Sequence, residues 1–385
     1  MIRVLYILHN RSLDGSLLTW ITMAEYLISK GIEVCVVCED SLFEFNEFNQ
    51  FIRKYNIQTY TTYIQYSVRE MPPIKLSKKI RWMWKMVTML RRKLLFFIRL
   101  LKIAKKVKPD IIHTNTGVVH EGVFAAKMLN IPHIWHLREY QDLGCDYWIY
   151  PTKGIYTKIL KLSYIITLTH DIKKHFNLDK YRRARVIPDG VYYKNEVVMK
   201  MPKKEYFLCV SRVHYQKNIE EAIYAFSKFY KTNDRYTLLI AGDGSKEYVN
   251  ELKKLTETLG ILTAVKFLGF CDRDKVKSLM QNSISLLVPS RYEGFGLMTA
   301  EGLFNGTIVI GKSEGGTLEI INDAGGFLYT GDYHDLAEKM NIVANLKDEE
   351  YLKIASFAQY KSQQQYSIER NGDEILGYYK EILSQ

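Results

Sequence analysis

The strand-like run Ser283–Val288 leads through Pro289-Ser-Arg-Tyr-Glu293-Gly-Phe-Gly296 into a helical pattern, Leu297–Phe304, that stops at Asn305-Gly306. A buried strand that turns through glycines directly into a helix is the building block of a parallel α/β sheet. Glu293 falls on the loop of this unit. Gly294 and Gly296 let backbone amides come close to an anion, and the helix start adds the positive end of a dipole, a combination suited to a diphosphate. Glu301 lies about one turn into the helix. Eight residues of helix would separate the two acids by roughly 12 Å, whereas the paired acids of a retaining glycoside hydrolase stand about 5 Å apart. The spacing therefore favours two acids holding opposite ends of one long ligand. The plainer alternative is a surface loop beside an ordinary helix acid.

Upstream, Tyr206–Val210 reads as another strand, followed by Ser211-Arg212 and, five residues on, Lys217-Asn218. Cations placed just past a strand end occupy the edge where open α/β sheets bind ligands. Arg212 and Lys217 can neutralise a leaving diphosphate without a metal; solvated loop charges are the alternative. Asp272-Arg-Asp274 has the DxD spacing of metal-dependent transferases, but it opens a helical segment, Lys275–Gln281, where acids serve as caps. No metal and no cofactor is expected.

Arg212 and Lys217, Gly242-Asp-Gly244 after a strand, Phe267-Leu-Gly-Phe270, and the Glu293 to Glu301 pair occur in this order. As a set they resemble the family 4 retaining glycosyltransferases of the GT-B fold, strongly from about 205 to 330 and more loosely in the N-terminal half. The resemblance implies two Rossmann-like α/β domains whose parallel sheets face each other across a cleft. It implies that Arg212 and Lys217 hold the donor diphosphate, Glu301 the ribose hydroxyls and Glu293 the donor sugar. Gly242, the Gly294, Phe295, Gly296 and Leu297 backbone and the Leu268, Gly269 and Phe270 segment would complete the donor pocket. His136 matches a histidine facing the donor sugar, and His136-Leu-Arg138-Glu139 resembles a variant of polysaccharide-assembly members. His113, Asn115, Arg138 and Glu139 would then serve the acceptor. A strand-end histidine that is merely hydrogen-bonded in place is the alternative for His136.

The N-terminus reads as a β-α-β opening: a strand in Met1–Leu8, then the loop with Gly15 and Ser16, a helix over Leu17–Ser29, Gly31, and a strand over Ile32–Val37. No secretory signal is visible. Gly15 and Ser16 would touch the donor phosphates, although Ser16 stands where family members often have a second glycine. Cys35 and Cys38 mimic a CxxC pair, but residues three apart in a strand point to opposite faces. The five scattered cysteines form no disulfide framework and suit a reducing cytoplasm. Ile187-Pro-Asp189-Gly190 resembles a family turn that usually carries Asn at the Asp189 position. The expected organisation is an acceptor-binding domain over 1–190, a linker over 191–204, a nucleotide-sugar domain over 205–364, and a C-terminal crossing helix within 365–385.

Charge is concentrated. Between Lys75 and Lys108 there are thirteen basic residues and no acid, more than the whole formal net charge of +12. Trp82, Met83, Trp84, Leu94, Leu95, Phe96 and Phe97 are interleaved with them, a mixture expected of helices lying on an anionic membrane surface; the alternative is a helix pair packed on its own domain. Nothing resembles a nucleic-acid recognition motif. The resulting expectation is a cytoplasmic, peripheral glycosyltransferase that moves a sugar from a nucleotide-diphosphate donor, with a UDP-sugar the first expectation, to a lipid-linked or growing glycan in cell-surface polysaccharide assembly. A non-catalytic assembly partner and a sugar-nucleotide epimerase of the same fold are the rivals.

Overall fold

The computed structural model describes residues 1–70, 76–143 and 147–385. Lys75 of the basic segment and Cys145 lie outside these residues. The chain forms two compact units: residues 1–190 with 371–385, and residues 191–370.

Unit 1 is built on a parallel sheet of β1 (Arg3–Ile7), β2 (Glu33–Cys38), β3 (Gln58–Thr61), β5 (Ile111–Thr114), β6 (His133–Leu137), β8 (Tyr164–Thr167) and β9 (Ala184–Val186), in the order β3-β2-β1-β5-β6-β8-β9. The short strands β4 (Val68–Glu70) and β7 (Tyr147–Ile149) pair antiparallel apart from it. Because both faces of the sheet are covered, its central strands are apolar throughout rather than alternating. One face, with Tyr6, Ile111 and Ile134, packs against Trp20 of the helix Gly15–Ser29 and against Ile375, Tyr378 and Tyr379 of the C-terminal helix Ile368–Leu383. The other face, with Leu5, Ile7 and Ile112, packs against Phe96, Leu100, Ala104 and Val107 of the helix Leu76–Val107. Cys38 belongs to the first layer and Cys35 to the second, so the period-2 geometry of the strand keeps the two thiols apart.

The basic segment is one helix of 32 residues rather than several. Its Phe96 face is core, whereas Ile80, Met83, Trp84, Val87, Leu94 and Ile98 are exposed. These six recur at helical spacing along one stripe beside the basic positions. One face of this helix thus packs on its own unit, and another leaves apolar and basic groups in solvent. No helix among the described residues is long and apolar enough to cross a membrane.

Unit 2 has a parallel sheet of β10 (Lys204–Val210), β11 (Thr237–Ala241), β12 (Val265–Gly269), β13 (Ser283–Val288), β14 (Ile308–Lys312) and β15 (Phe327–Tyr329), ordered β12-β11-β10-β13-β14-β15. The chain builds outward from β10 through β11 to β12, then returns to place β13 on the other side of β10. That reversal is a topological switch point, where the connecting loops on either side diverge and leave a crevice at the carboxyl edge. The expected linker 191–204 is no free connection: Lys204 already opens β10, and residues 191–203 pack within unit 2, where Val191, Tyr192 and Val197 are buried, with Tyr192 against Phe304.

Candidate functional site

The switch point gathers the predicted donor residues. Arg212 and Lys217 follow β10, Glu293 to Gly296 follow β13, and these strands are direct neighbours. Lys217 Nζ lies 2.6 Å from Glu293 Oε1, and both side chains are largely screened from solvent. A cation and an acid 76 positions apart in sequence therefore meet at the crevice. Arg212 is exposed on the same loop and makes no ion pair among the described residues.

Glycines shape the surrounding backbone. Gly296 adopts φ +92° as the cap of the helix Leu297–Phe304, a conformation that side chains strongly disfavour. At Gly242, just past β11, a Cβ would stand 1.8 Å from the Ser211 carbonyl oxygen. The Gly242 amide donates to the Gly269 carbonyl at 2.8 Å, which ties together the ends of β11 and β12. Leu268 is at the margin of exposure and Phe270 is largely exposed, so apolar surface flanks the β12 end.

The sequence analysis missed the next βα loop. After β14, the helix Gly315–Ala324 begins at Gly315-Gly316, and the Gly316 amide donates to the Glu293 carbonyl at 2.8 Å. A Cβ on Gly316 would lie 1.9 Å from the Phe295 carbonyl oxygen, so only glycine permits this approach. Thr317 and Thr299 hydroxyls, 3.1 Å apart, join the first turns of the two helices. Two helix N-termini are thus held side by side, doubling the positive backbone potential at this edge. The Gly-Gly pair three residues past the end of a strand was the available signal. Lys312, at the end of β14, is paired at 3.0 Å with Glu221 of the helix Ile219–Tyr230, a second half-buried ion pair that braces the same edge.

Glu301, in the second turn of its helix, is buried, and burial pushes its carboxyl up to about 7; Arg273 opposes and Glu196 reinforces that shift. It accordingly titrates near neutrality and, as a carboxylate, can accept two hydroxyl protons. Asp272 caps the helix Arg273–Asn282 by accepting from the Lys275 amide at 2.7 Å.

Unit 1 gathers the remaining predicted residues at the carboxyl edge of its own sheet. Asp14 caps the first helix by accepting from the Leu17 amide, and it also accepts from the Ser16 hydroxyl at 2.7 Å. Asn10 Nδ2 donates to both. The Ser16 hydroxyl is thereby engaged in the loop's own network, with Gly15 as the first residue of the helix. His113, Asn115, His136 and Arg138 are all buried, whereas Glu139 is exposed. Arg138 Nη1 lies 2.5 Å from Asp189 Oδ2, and Arg138 Nε donates to Asn115 Oδ1 at 3.1 Å. Asp189, expected to mark only the passage out of the first domain, is the buried counter-ion of Arg138. His136 Nδ1 lies 3.3 Å from His113 Nε2, and His113 Nδ1 lies 2.6 Å from the Tyr379 hydroxyl. Burial, followed by the Arg138 cation and His113, holds the His136 pKa well below the usual imidazole range, so its ring is neutral.

Two family descriptions match the chain: "Glycosyltransferase Family 4" over residues 15–193 and "Glycosyl transferases group 1" over residues 195–361. Alpha-monoglucosyldiacylglycerol synthase of Streptococcus pneumoniae is 30% identical over 275 residues, 63% of this chain and 60% of that protein. N-acetyl-alpha-D-glucosaminyl L-malate synthase of Bacillus anthracis is 25% identical over 97% of this chain and 95% of its own. Among solved structures, Anabaena HepE in complex with UDP superposes with a TM-score of 0.78 at 19% identity, covering 99% of this chain and 100% of that one, a likeness of fold.

Proposed function

Because the chain belongs to glycosyltransferase family 4, with that family's two domains matched in succession over most of its length, we propose that it transfers a sugar from a nucleotide-diphosphate donor, a UDP-sugar first among them, to a lipid-linked or growing glycan with retention at the anomeric carbon. The observation that carries this reading is the Lys217–Glu293 contact beneath the paired helix N-termini at Leu297 and Gly315. In that geometry a diphosphate meets fixed positive charge and dipoles where negative charge develops as the bond to the anomeric carbon breaks. Arg212 supplies further positive charge, Glu293 receives sugar hydroxyls, and Glu301 as carboxylate receives the ribose diol. No side chain acts as nucleophile: the leaving phosphate oxygen takes the acceptor proton on the same face, and positioning supplies the remainder. His136 and its buried neighbours in unit 1 serve the sugar and the acceptor.

A membrane-surface acceptor is favoured by the exposed Ile80 to Ile98 stripe beside the basic positions of the helix Leu76–Val107. The diacylglycerol named for the pneumococcal relative and the UDP and UDP-glucose of the HepE complexes agree with these choices of acceptor and donor. On this reading the protein works peripherally at the inner face of the cell membrane, in cell-surface polysaccharide assembly.

A thermal-shift panel of UDP, GDP, ADP, dTDP and their sugars tests the donor assignment, since a ligand bound only by the folded state raises the melting temperature by mass action. A UDP-selective shift is expected. Conversion of the sugar nucleotide without any acceptor would point instead to the epimerase, and the absence of any shift to the non-catalytic partner.

A further inference from the structure

Two helices of unit 1, Leu76–Val107 and Glu121–Leu129, leave a groove of about 600 Å³ between them. That volume lies in the range of small-molecule sites, roughly 300–1,000 Å³. Leu94 and Phe97 form one wall, Phe124 and Met128 the other, and Leu94, Phe124 and Met128 are exposed, Met128 by 68%. Apolar surface left in water forgoes about 25 cal/mol for each Å², so an apolar occupant is stabilised there. One end of the groove carries an ion pair. Lys93 Nζ lies 2.6 Å from Glu121 Oε1 and also donates to Ser67 Oγ. Glu121 is buried, and its Oε2 has no partner among the described residues, so it can accept a proton from a hydroxyl.

The Glu121 end lies at the carboxyl edge of the sheet, because Glu121 opens the helix that follows β5 and stands six positions past Asn115. Met128 is about 10 Å further along that helix. The groove therefore runs from the edge that gathers Asn115 and His136 back along the flank of the sheet. Charge then selects among apolar occupants. Arg91 is exposed one turn before Leu94, Lys127 is exposed on the opposite wall, and no acid occurs between residues 75 and 108. A second copy seated here on a two-fold axis would set this basic helix against itself. An anionic amphiphile instead meets cations at the mouth and hydrocarbon within.

We propose that this groove holds one hydrocarbon chain of an anionic lipid that carries the acceptor, with the lipid phosphate at Arg91, a headgroup hydroxyl on Glu121 Oε2, and the saccharide delivered to the carboxyl edge of unit 1. This rests on the lipid-linked acceptor proposed above and adds to it a defined chain site, continuous with the exposed stripe through Leu94.

The test is isothermal titration calorimetry of the full chain with three probes kept monomeric: dioctanoylphosphatidylglycerol, dioctanoylphosphatidylcholine and glycerol 3-phosphate. The phosphatidylglycerol is expected to bind saturably, one per chain. The phosphatidylcholine, which has no net charge, should bind at least about fivefold more weakly, and glycerol 3-phosphate should give no heat. Phe124→Asp sets a charge in the apolar wall and should weaken phosphatidylglycerol at least about tenfold. Phe124 and Met128 are both exposed, so this variant and Met128→Asp should keep the native circular dichroism. Trp84→Asp, about 15 Å along the helix from Leu94, should leave the affinity for the soluble lipid unchanged. Equal binding of glycerol 3-phosphate or phosphatidylcholine, unchanged binding in both groove variants, or a loss with Trp84→Asp instead would overturn the proposal. So would sedimentation of a native dimer that Phe124→Asp dissociates, because the occupant would then be a second copy. A UDP thermal shift on the same sample reports the donor site separately: UDP binding without lipid binding removes this inference alone, and loss of both removes the functional reading beneath it.

Discussion

Single residues carry the chemistry, and their exchange has calculable consequences. Lys217 reaches Glu293 at 2.6 Å in the unliganded chain, so its charge is held in place before a diphosphate arrives. Removing one such preorganised donor commonly costs 10² to 10³ in turnover. Lys217→Ala and Arg212→Ala should each lose about that much in steady-state kcat, and a loss under threefold would refute the role. Glu301 makes a different prediction. Its carboxyl titrates at about 7 in the fold against 4.5 for the free side chain, chiefly because it is buried. The folded state therefore keeps a proton that the unfolded chain releases above 4.5, and stability falls as pH rises from about 4.5 to about 7. That gap corresponds to roughly 3 kcal/mol. Urea titrations should find Glu301→Gln more stable than the native chain at pH 8, with the advantage gone by pH 4; an advantage independent of pH would contradict the burial argument.

At the scale of elements, two helices are positioned by glycine and one by its amphipathic face. Gly316→Ala places a methyl group 1.9 Å from a backbone carbonyl oxygen that cannot step aside. The two helix N-termini must then separate, at a cost of about 1–3 kcal/mol typical of overpacking, so the melting temperature should drop and UDP affinity should drop with it. The helix Leu76–Val107 has its Phe96 face in the core and its Trp84 face in solvent. Trp84→Asp should leave the fold intact and lower binding to phosphatidylglycerol vesicles by about tenfold or more, since it exchanges a membrane-seeking ring for a charge of the wrong sign. Cosedimentation measures this directly. Unchanged binding would return the helix to a purely structural role.

For the whole molecule, charge is the property that matters most. Thirteen cations and no acid between residues 75 and 108 make the net charge a local feature, worth roughly 1 kcal/mol per basic residue at an anionic surface and screened by salt. Vesicle binding should fall steeply as salt rises from about 0.1 to about 0.5 M, because the Debye length shrinks from about 10 Å toward a few ångströms. Asp272 is committed to capping a helix, and Lys217 and Arg212 offer the diphosphate its countercharge. Excess chelator should therefore leave turnover unchanged, and a tenfold loss restored by magnesium would assign Asp272-Arg-Asp274 to a metal.

What was legible in the sequence was whatever depends on neighbours along the chain. The strand Ser283–Val288 and the helix Leu297–Phe304 appear in the structure with the bounds their apolar pattern and the Asn305-Gly306 stop predicted. Asp272 at the start of Arg273–Asn282 read correctly as a cap because a cap is a contact three residues long. Opposed faces for Cys35 and Cys38 followed from the period of a strand. Contacts that join distant segments had no such signal. Nothing local pairs Arg138 with Asp189, brings Tyr379 against His113, or presses Gly316 onto Phe295. Those meetings depend on strand order, on the return of the C-terminal helix to the first unit and on the placement of β14 beside β13. The sequence by itself determined the elements, the family and the types of side chain at the strand ends. Only the tertiary structure decided which of those side chains find partners and which are left buried without one, because hydrogen-bond satisfaction is a property of three-dimensional neighbours and not of spacing along the chain.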